Sequence, residues 1–267
     1  MPRFEPNPQR RPAIVSGASS GIGTATAYAL AQLGHPVALG ARRVAECEAI
    51  AEKIRNNGGD AFAHFLDVTD TASVDEFVSA SEGELGETEI VLSGAGDLAF
   101  GQAHAMDPDD FLTQVNVHLV GAQRLAHRIV PDMIERRRGD FVLIGSDCAD
   151  APRPRTGAYN AAKTGLEAMG RQMRMELEGT GVRASIVRPG PTQTGMGMDT
   201  TPEIIGPVLD DWSKWGFARH PYFLRASAIA DAVVATVSAP RGSHIVLTEV
   251  QPEAPLSTQQ SAEEVEP

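Results

Sequence analysis

Residues 13–34 read AIVSGASSGIGTATAYALAQLG, and few architectures accommodate such a stretch. A short apolar run opens it, three glycines (Gly17, Gly21, Gly23) crowd its middle, and an amphipathic run closes it on Gly34. The first part is a strand buried on both faces, since apolar residues fill it without alternation. The last part is a helix from about Gly21 to Leu33, with Gly34 placed to end it in a left-handed turn. Six further apolar runs repeat the rhythm: PVALGA, AFAHFLD, EIVLSGAG, DFVLIGS, RASIVRPG and HIVLTEV. Helical stretches separate them. One opens with Asp107 as N-cap and Pro108 in the first turn and runs to about Arg137. Regular strand–helix alternation predicts a parallel sheet covered on both sides, in a single α/β domain.

The ends of the chain differ from its middle. Residues 1–11 are polar and proline-containing and read as a flexible arm, leaving the domain to span 12–250. Residues 251–267 are acidic and rich in Pro, Gln and Ser, the composition of a disordered tail. Residues 192–224 break the strand–helix rhythm with Met196, Met198, Trp212, Trp215, Phe217 and Phe223, and read as a substrate loop or lid. Trp212 and Trp215 are three apart, a spacing that suits one helical face. The net charge of −12 argues against nucleic acid and anionic membrane surfaces as partners, and no apolar run reaches membrane-spanning length. Cys47 and Cys148 are read as lone buried thiols in a reducing compartment, and the expected location is cytoplasmic. The seven histidines show neither H-x-H nor H-E-x-x-H spacing, so no metal site is expected.

The glycine turn lies where a first strand meets a first helix. Glycine lets the backbone bend sharply and approach a pyrophosphate without a Cβ in the way, and the helix N-terminus adds free N–H groups and a partial positive charge. Dinucleotide binding is the expectation, with Gly17, Ser19, Ser20, Gly21, Ile22 and Gly23 at the phosphates. The second strand ends in Ala41, where an NAD-binding fold carries an acid for the ribose 2′-hydroxyl, and Arg42 and Arg43 follow. Guanidinium groups suit a 2′-phosphate, so NADP(H) is preferred, with NAD(H) as the alternative.

The spacing G-x-x-x-G-x-G resembles the nucleotide loop of the short-chain dehydrogenase/reductase family, and the resemblance runs by motif order from about Pro12 to Val250. It implies a doubly wound Rossmann sheet of seven strands in the order 3-2-1-4-5-6-7. It implies a catalytic set of Asn116, Ser146, Tyr159 and Lys163, and Ser146 precedes Tyr159 by thirteen residues as is usual in the family. Tyr159 and Lys163 stand at i and i+4 of one helix, so both lie on one face, where an ammonium lowers the phenol pKa toward working pH. By resemblance Lys163 also binds the nicotinamide ribose and Asn116 orders a water. Asp67 and Val68 match the adenine contact, and Gly94, Ala95 and Gly96 the close approach after the fourth strand. Pro189, Gly190, Thr192 and Thr194 match the nicotinamide side. Two departures stand out: SGAG at residues 93–96 replaces the usual Asn-Asn-Ala-Gly, and SHIVLTEVQPEAP lacks the common terminal DGG. The resemblance implies hydride transfer between cofactor and a carbonyl or alcohol, in a homodimer or homotetramer; the apolar side chains of residues 192–224 either line a pocket for a small apolar substrate or form a satellite core or subunit contact. The alternative is a nucleotide-binding sensor or scaffold without turnover.

Overall fold

The computed structural model describes residues 4–196, 200–216, 220 and 222–256 of the chain. Its sheet is built from β1 (Ala13–Ser16), β2 (Val37–Ala41), β3 (Ala61–Phe65), β4 (Ile90–Ser93), β5 (Gly139–Ile144), β6 (Val182–Pro189) and, last in the chain, β9 (Leu247–Val250). The short strands β7 (Thr192–Gln193) and β8 (Leu224–Arg225) pair with each other outside it. All seven sheet strands run parallel in the order β3-β2-β1-β4-β5-β6-β9, the expected doubly wound arrangement.

The register separates two cores. Ala13 pairs with Val37 and Ile90, and Val15 with Leu39 and Leu92; all six point to one face. There they meet α1 (Gly21–Gln32), α2 (Val44–Asn56) and α8 (Ala226–Ser238) through residues such as Leu30, Ile54 and Val233. Ile14, Ala38 and Val91 point the other way, with Phe141 and Leu143. They meet α3 (Thr71–Leu85), α5 (Gly121–Glu135) and α6 (Gly157–Glu176) through Phe77, Leu125 and Leu166. Burial of a large apolar side chain is worth roughly 1.5–3 kcal/mol, so the two faces supply the driving force for a flat sheet to remain covered.

The helix starting at Pro108 is not continuous. Asp107 caps it as expected, accepting from the Asp109 N–H at 2.8 Å. α4 (Pro108–Val115) passes into a π-helical turn, Asn116–Val120, before α5 resumes. Gly34 follows α1 at φ 82°, the left-handed geometry expected of it. In residues 192–224 the structure places α7 (Pro202–Lys214). Trp212 and Trp215 do not share a face there. Trp212 packs edge-on against Phe100 at 6.4 Å and donates to the Pro154 carbonyl at 2.9 Å, whereas Trp215 is 63% exposed. Met198 and Phe217 lie outside the described residues, as do residues 257–267 of the expected tail.

Arg11, the last residue of the expected arm, belongs to the folded domain. It is 2% exposed, bonds Glu89, Asp140 and the Val237 carbonyl, and joins a network that Arg183 completes through Asp140. Sequence alone gave no sign of this, because a single arginine beside prolines carries no periodicity. Among the described residues no helix is long and apolar enough to cross a membrane.

Candidate active site

The site lies along the C-terminal ends of β1, β4, β5 and β6, where open α/β sheets leave a crevice for ligands. Gly17 adopts φ 74°, and a Cβ there would stand 2.7 Å from the Gly94 carbonyl oxygen. A Cβ on Gly23 would run into the Gly17 carbonyl. Both positions exclude any side chain, one through backbone conformation and one through packing of helix on turn. Ser16, at the end of β1, donates to the Leu92 carbonyl at 3.2 Å and accepts from the Gly94 and Ala95 N–H groups at 3.0 and 3.3 Å. One hydroxyl thereby fastens the SGAG segment that lacks the family's asparagines. The partner of this hydroxyl lies 78 residues away, beyond the reach of any local pattern.

Arg43 leans over the cradle, with one guanidinium nitrogen 3.1 Å from both Ser19 Oγ and Ser20 Oγ. Arg42 makes no hydrogen bond to the serines, and its charge is felt at Asp67. Burial alone would raise the Asp67 pKa, but hydrogen bonds from Thr69 and the nearby Arg42 and Arg124 charges hold it below the usual carboxylate value. Asp67 accepts from the Thr69 N–H and hydroxyl at 2.9 and 2.7 Å, and Val68 is buried beside it. On the opposite side the Gly190 N–H donates to the Val250 carbonyl at 2.8 Å, and Thr192 donates to the Gly190 carbonyl at 2.8 Å. Pro189 ends β6. A Cβ on Gly21 would stand 3.0 Å from Thr194 Cβ, so the segment at Thr194 closes over the cradle at the first turn of α1, which holds Gly21 and Ile22. Glycines that admit no Cβ, free N–H groups at the start of α1 and a guanidinium beside two serines fit the pyrophosphate and 2′-phosphate of a dinucleotide.

Ser146 follows β5 and is 6% exposed. Its hydroxyl accepts from the Cys148 N–H at 3.3 Å and lies near enough to the Tyr159 phenol to act against the rise in its pKa. Lys163, one turn beyond Tyr159 on α6, is 4% exposed. It donates to the Ile144 carbonyl at 2.7 Å and lies 5.7 Å from the centre of the Tyr159 ring. The structure thus brings Ser146, Tyr159 and Lys163 together. The electrostatics differ from the expectation of an acidified phenol: burial is the largest influence on Tyr159 and pushes its pKa up, above the ordinary value. Burial also pulls Lys163 down to about 8, against the opposing charges of Glu167 and Cys148. In the protein alone the phenol therefore stands as a proton donor.

Asn116 is placed differently from the other three. Its carboxamide oxygen accepts from Arg124 at 2.9 Å, and the same Arg124 nitrogen donates to the Val68 carbonyl at 3.1 Å. His118, two residues on and roughly 200° round an ordinary helix, points to Tyr159. It is 2% exposed, and its ring meets that of Tyr159 edge-on at 5.1 Å. Burial, with the nearby Lys163 charge, lowers its pKa to about 3, so the imidazole is neutral. Its Nε2 is 2.6 Å from the Asp97 carbonyl and 3.3 Å from the Asp97 N–H. The shorter contact requires Nε2 to carry the proton, which leaves Nδ1 an acceptor, buried without a partner among the described residues. A Cβ on Gly96 would stand 2.6 Å from the His118 ring, so that glycine is required by the histidine as well as by cofactor approach. Sequence reasoning passed over His118 because a helical reading offers no way to choose between positions 116 and 118. The π turn that sets their facing appears only in three dimensions.

A cleft of about 390 Å³ lies beside the start of α6, with walls that include Gln102, His104, Arg153, Arg155, Asn160 and Asp211. Arg153 clasps Asp147 through two bonds of 2.9 and 2.6 Å and covers the Trp212 ring at 5.7 Å. Arg155 pairs with Asp211 of α7 at 2.6 Å. The walls are therefore polar and charge-paired. Among the described residues no cluster of His, Cys, Asp or Glu suits a metal ion.

Sheet, glycine cradle and the enclosed Ser146–Tyr159–Lys163 group define a nucleotide-dependent oxidoreductase domain. Residues 11–204 match the short chain dehydrogenase family model. The chain is 30% identical over 241 residues to 2,3-dihydro-2,3-dihydroxybenzoate dehydrogenase of Bacillus subtilis, covering 88% of this chain and 91% of that one. It is 34% identical over 239 residues to glycine betaine reductase of Emericella nidulans, covering 89% of this chain but only 18% of that much longer protein. Among solved structures, the alcohol dehydrogenase from the archaeon Thermococcus sibiricus, complexed with 5-hydroxy-NADP, superposes with a TM-score of 0.77 at 27% identity, over 92% of this chain and 100% of the other. The chain belongs to the short-chain dehydrogenase/reductase family.

Proposed function

We propose that this protein is an NADP(H)-dependent oxidoreductase that interconverts a carbonyl and an alcohol on a small molecule. The observation that carries the reading is the buried Tyr159 with the Lys163 amine 5.7 Å from its ring centre and the Ser146 hydroxyl close by. Arg43 over Ser19 and Ser20 supports NADP(H) over NAD(H), as does the NADP analogue in the archaeal relative. The bound nicotinamide supplies or accepts the hydride. Ser146 holds the substrate oxygen, and Tyr159, protonated at neutral pH, gives it the proton that completes reduction. Lys163 stands behind the phenol as the cation that stabilises tyrosinate once the proton has left. His118 takes the fourth place expected of Asn116, holding the Asp97 backbone and bearing on the Tyr159 ring.

Residues 192–224 act as the substrate loop. Met196, 38% exposed beside Gly96, gives the pocket an apolar side for an apolar substrate. Exposed Leu112 on α4 and Met175 on α6 support association of copies through those helices, as a dimer or tetramer. Buried free Cys47 and Cys148 support a reducing, cytoplasmic setting.

The test is NADPH oxidation at 340 nm across a panel of aldehydes and ketones, beside Tyr159→Phe. The substitution removes the proton donor and is expected to lower kcat about 10²–10⁴-fold while leaving NADPH affinity within about twofold. NADPH binding without turnover of any compound, unaffected by the substitution, sinks the proposal.

A further inference from the structure

Behind the reaction centre lies a carboxylate that the proposed chemistry does not use. Glu167 is 1% exposed, on α6, one turn beyond Lys163. Its Oε1 accepts from the Ser146 backbone N–H at 3.4 Å and from Arg188 Nε at 3.1 Å, and its Oε2 accepts from a terminal Arg188 nitrogen at 2.6 Å. A Cβ on Gly145 would stand 2.5 Å from Oε1, so the β5 backbone passes directly over the carboxylate. Arg188 lies in β6 immediately before Pro189 and Gly190. One buried group therefore touches the backbone of Ser146, the helix of Tyr159 and Lys163, and the strand that leads to the nicotinamide side.

Neutralising Arg188 does not require it. Arg188 also pairs with Glu249 at 3.1 Å and with Asp150, which are 39% and 71% exposed and cost little to keep charged. A fully buried carboxylate is the expensive choice, and apolar replacements of buried ion pairs are often neutral for stability. We propose that Glu167 is a positioning residue of the reaction centre, fixing Ser146 against Arg188 and setting a negative charge one helical turn behind the Lys163 ammonium. This rests on Ser146, Tyr159 and Lys163 being the reacting group.

The other groups around Lys163 do not substitute for that charge. From the π turn comes neutral His118, and from the segment between β5 and α6 come Cys148 and the mutually paired Asp147 and Arg153. Tyr159 and Arg171 share α6, and β6 contributes only the cation Arg188. Glu167 is the leading influence that raises the Lys163 pKa against burial, which brings it to about 8. Removing it takes away the main charge that opposes burial, which favours the neutral amine.

The chain has three lysines, Lys53, Lys163 and Lys214, so ¹³C-lysine labelling gives three side-chain signals, and the one lost in Lys163→Met assigns itself. NMR titration of the full chain, without cofactor or substrate, reads the Lys163 midpoint directly. Glu167→Gln is expected to lower it by about one pH unit or more, while Glu167→Asp, which keeps the charge, stays within about half a unit of the parent. With NADPH and a reducible carbonyl, the alkaline limb of kcat moves down by the same amount in Glu167→Gln. An unmoved midpoint in folded Glu167→Gln overturns the proposal, as do equal falls in the Gln and Asp variants, which report loosened packing. A midpoint that moves as expected in a protein that reduces nothing overturns the proposed activity and leaves the role of Glu167 intact.

Discussion

Replacing Arg43 by alanine isolates the basis of the NADP(H) preference. In the protein alone its guanidinium bonds two neutral hydroxyls, Ser19 and Ser20, each at 3.1 Å. A 2′-phosphate placed there exchanges those for charge-assisted bonds, worth about 1.5–3 kcal/mol. Arg43 is exposed, so solvent screening keeps the contribution near the lower end, about 1.5 kcal/mol. Since about 1.4 kcal/mol is tenfold, Arg43→Ala is expected to weaken NADPH about tenfold and leave NADH within about twofold. Titration of the cofactor fluorescence measures both constants, and added salt narrows the gap between the two cofactors in the parent protein. Arg42→Ala has the smaller effect, because Arg43 and not Arg42 bonds the two serines. Equal losses for the two cofactors, or none for NADPH, refute the assignment of Arg43.

Three further perturbations address the cradle, the buried histidine and the N-terminal network. Gly23→Ala forces the first turn of α1 away from the Gly17 carbonyl; a loss of about 1–3 kcal/mol of stability in urea unfolding, with NADPH binding abolished, is expected. His118 has a depressed pKa, so the unfolded chain takes up a proton near pH 6.5 that the native state refuses until about pH 3. Its share of stability is therefore present above pH 6.5 and lost as pH falls through that window; denaturation at pH 7, 5.5 and 4.5 should show a shallower decline in His118→Gln. Arg11→Met leaves Asp140 and Glu89 with one cation fewer in a buried setting, a loss of roughly 3–5 kcal/mol by urea denaturation, whereas an arm that plays no part in the fold predicts no change.

Much of this protein is written locally. Apolar runs without alternation specify strands covered on both faces, and the spacing of Gly17, Gly21 and Gly23 specifies a tight approach of turn to helix. The i, i+4 interval of Tyr159 and Lys163 puts them on one face of α6, and the structure seats Ser146 beside them. These readings survive because each depends on neighbours within one or two turns of chain. What the tertiary structure decided depends on residues brought together from afar. The π turn gives His118 the place beside Tyr159 and sends Asn116 to Arg124. Burial sets the phenol of Tyr159 higher than a helical Tyr–Lys pair implies, because desolvation is a property of the whole packed site. Ser16 reaches the segment after β4, Arg11 reaches Asp140 across 129 residues, and Glu167 gathers β5 and β6 behind the lysine. Periodicity reports which side of an element faces inward; which charge or hydroxyl waits there is fixed only when the sheet closes the distance.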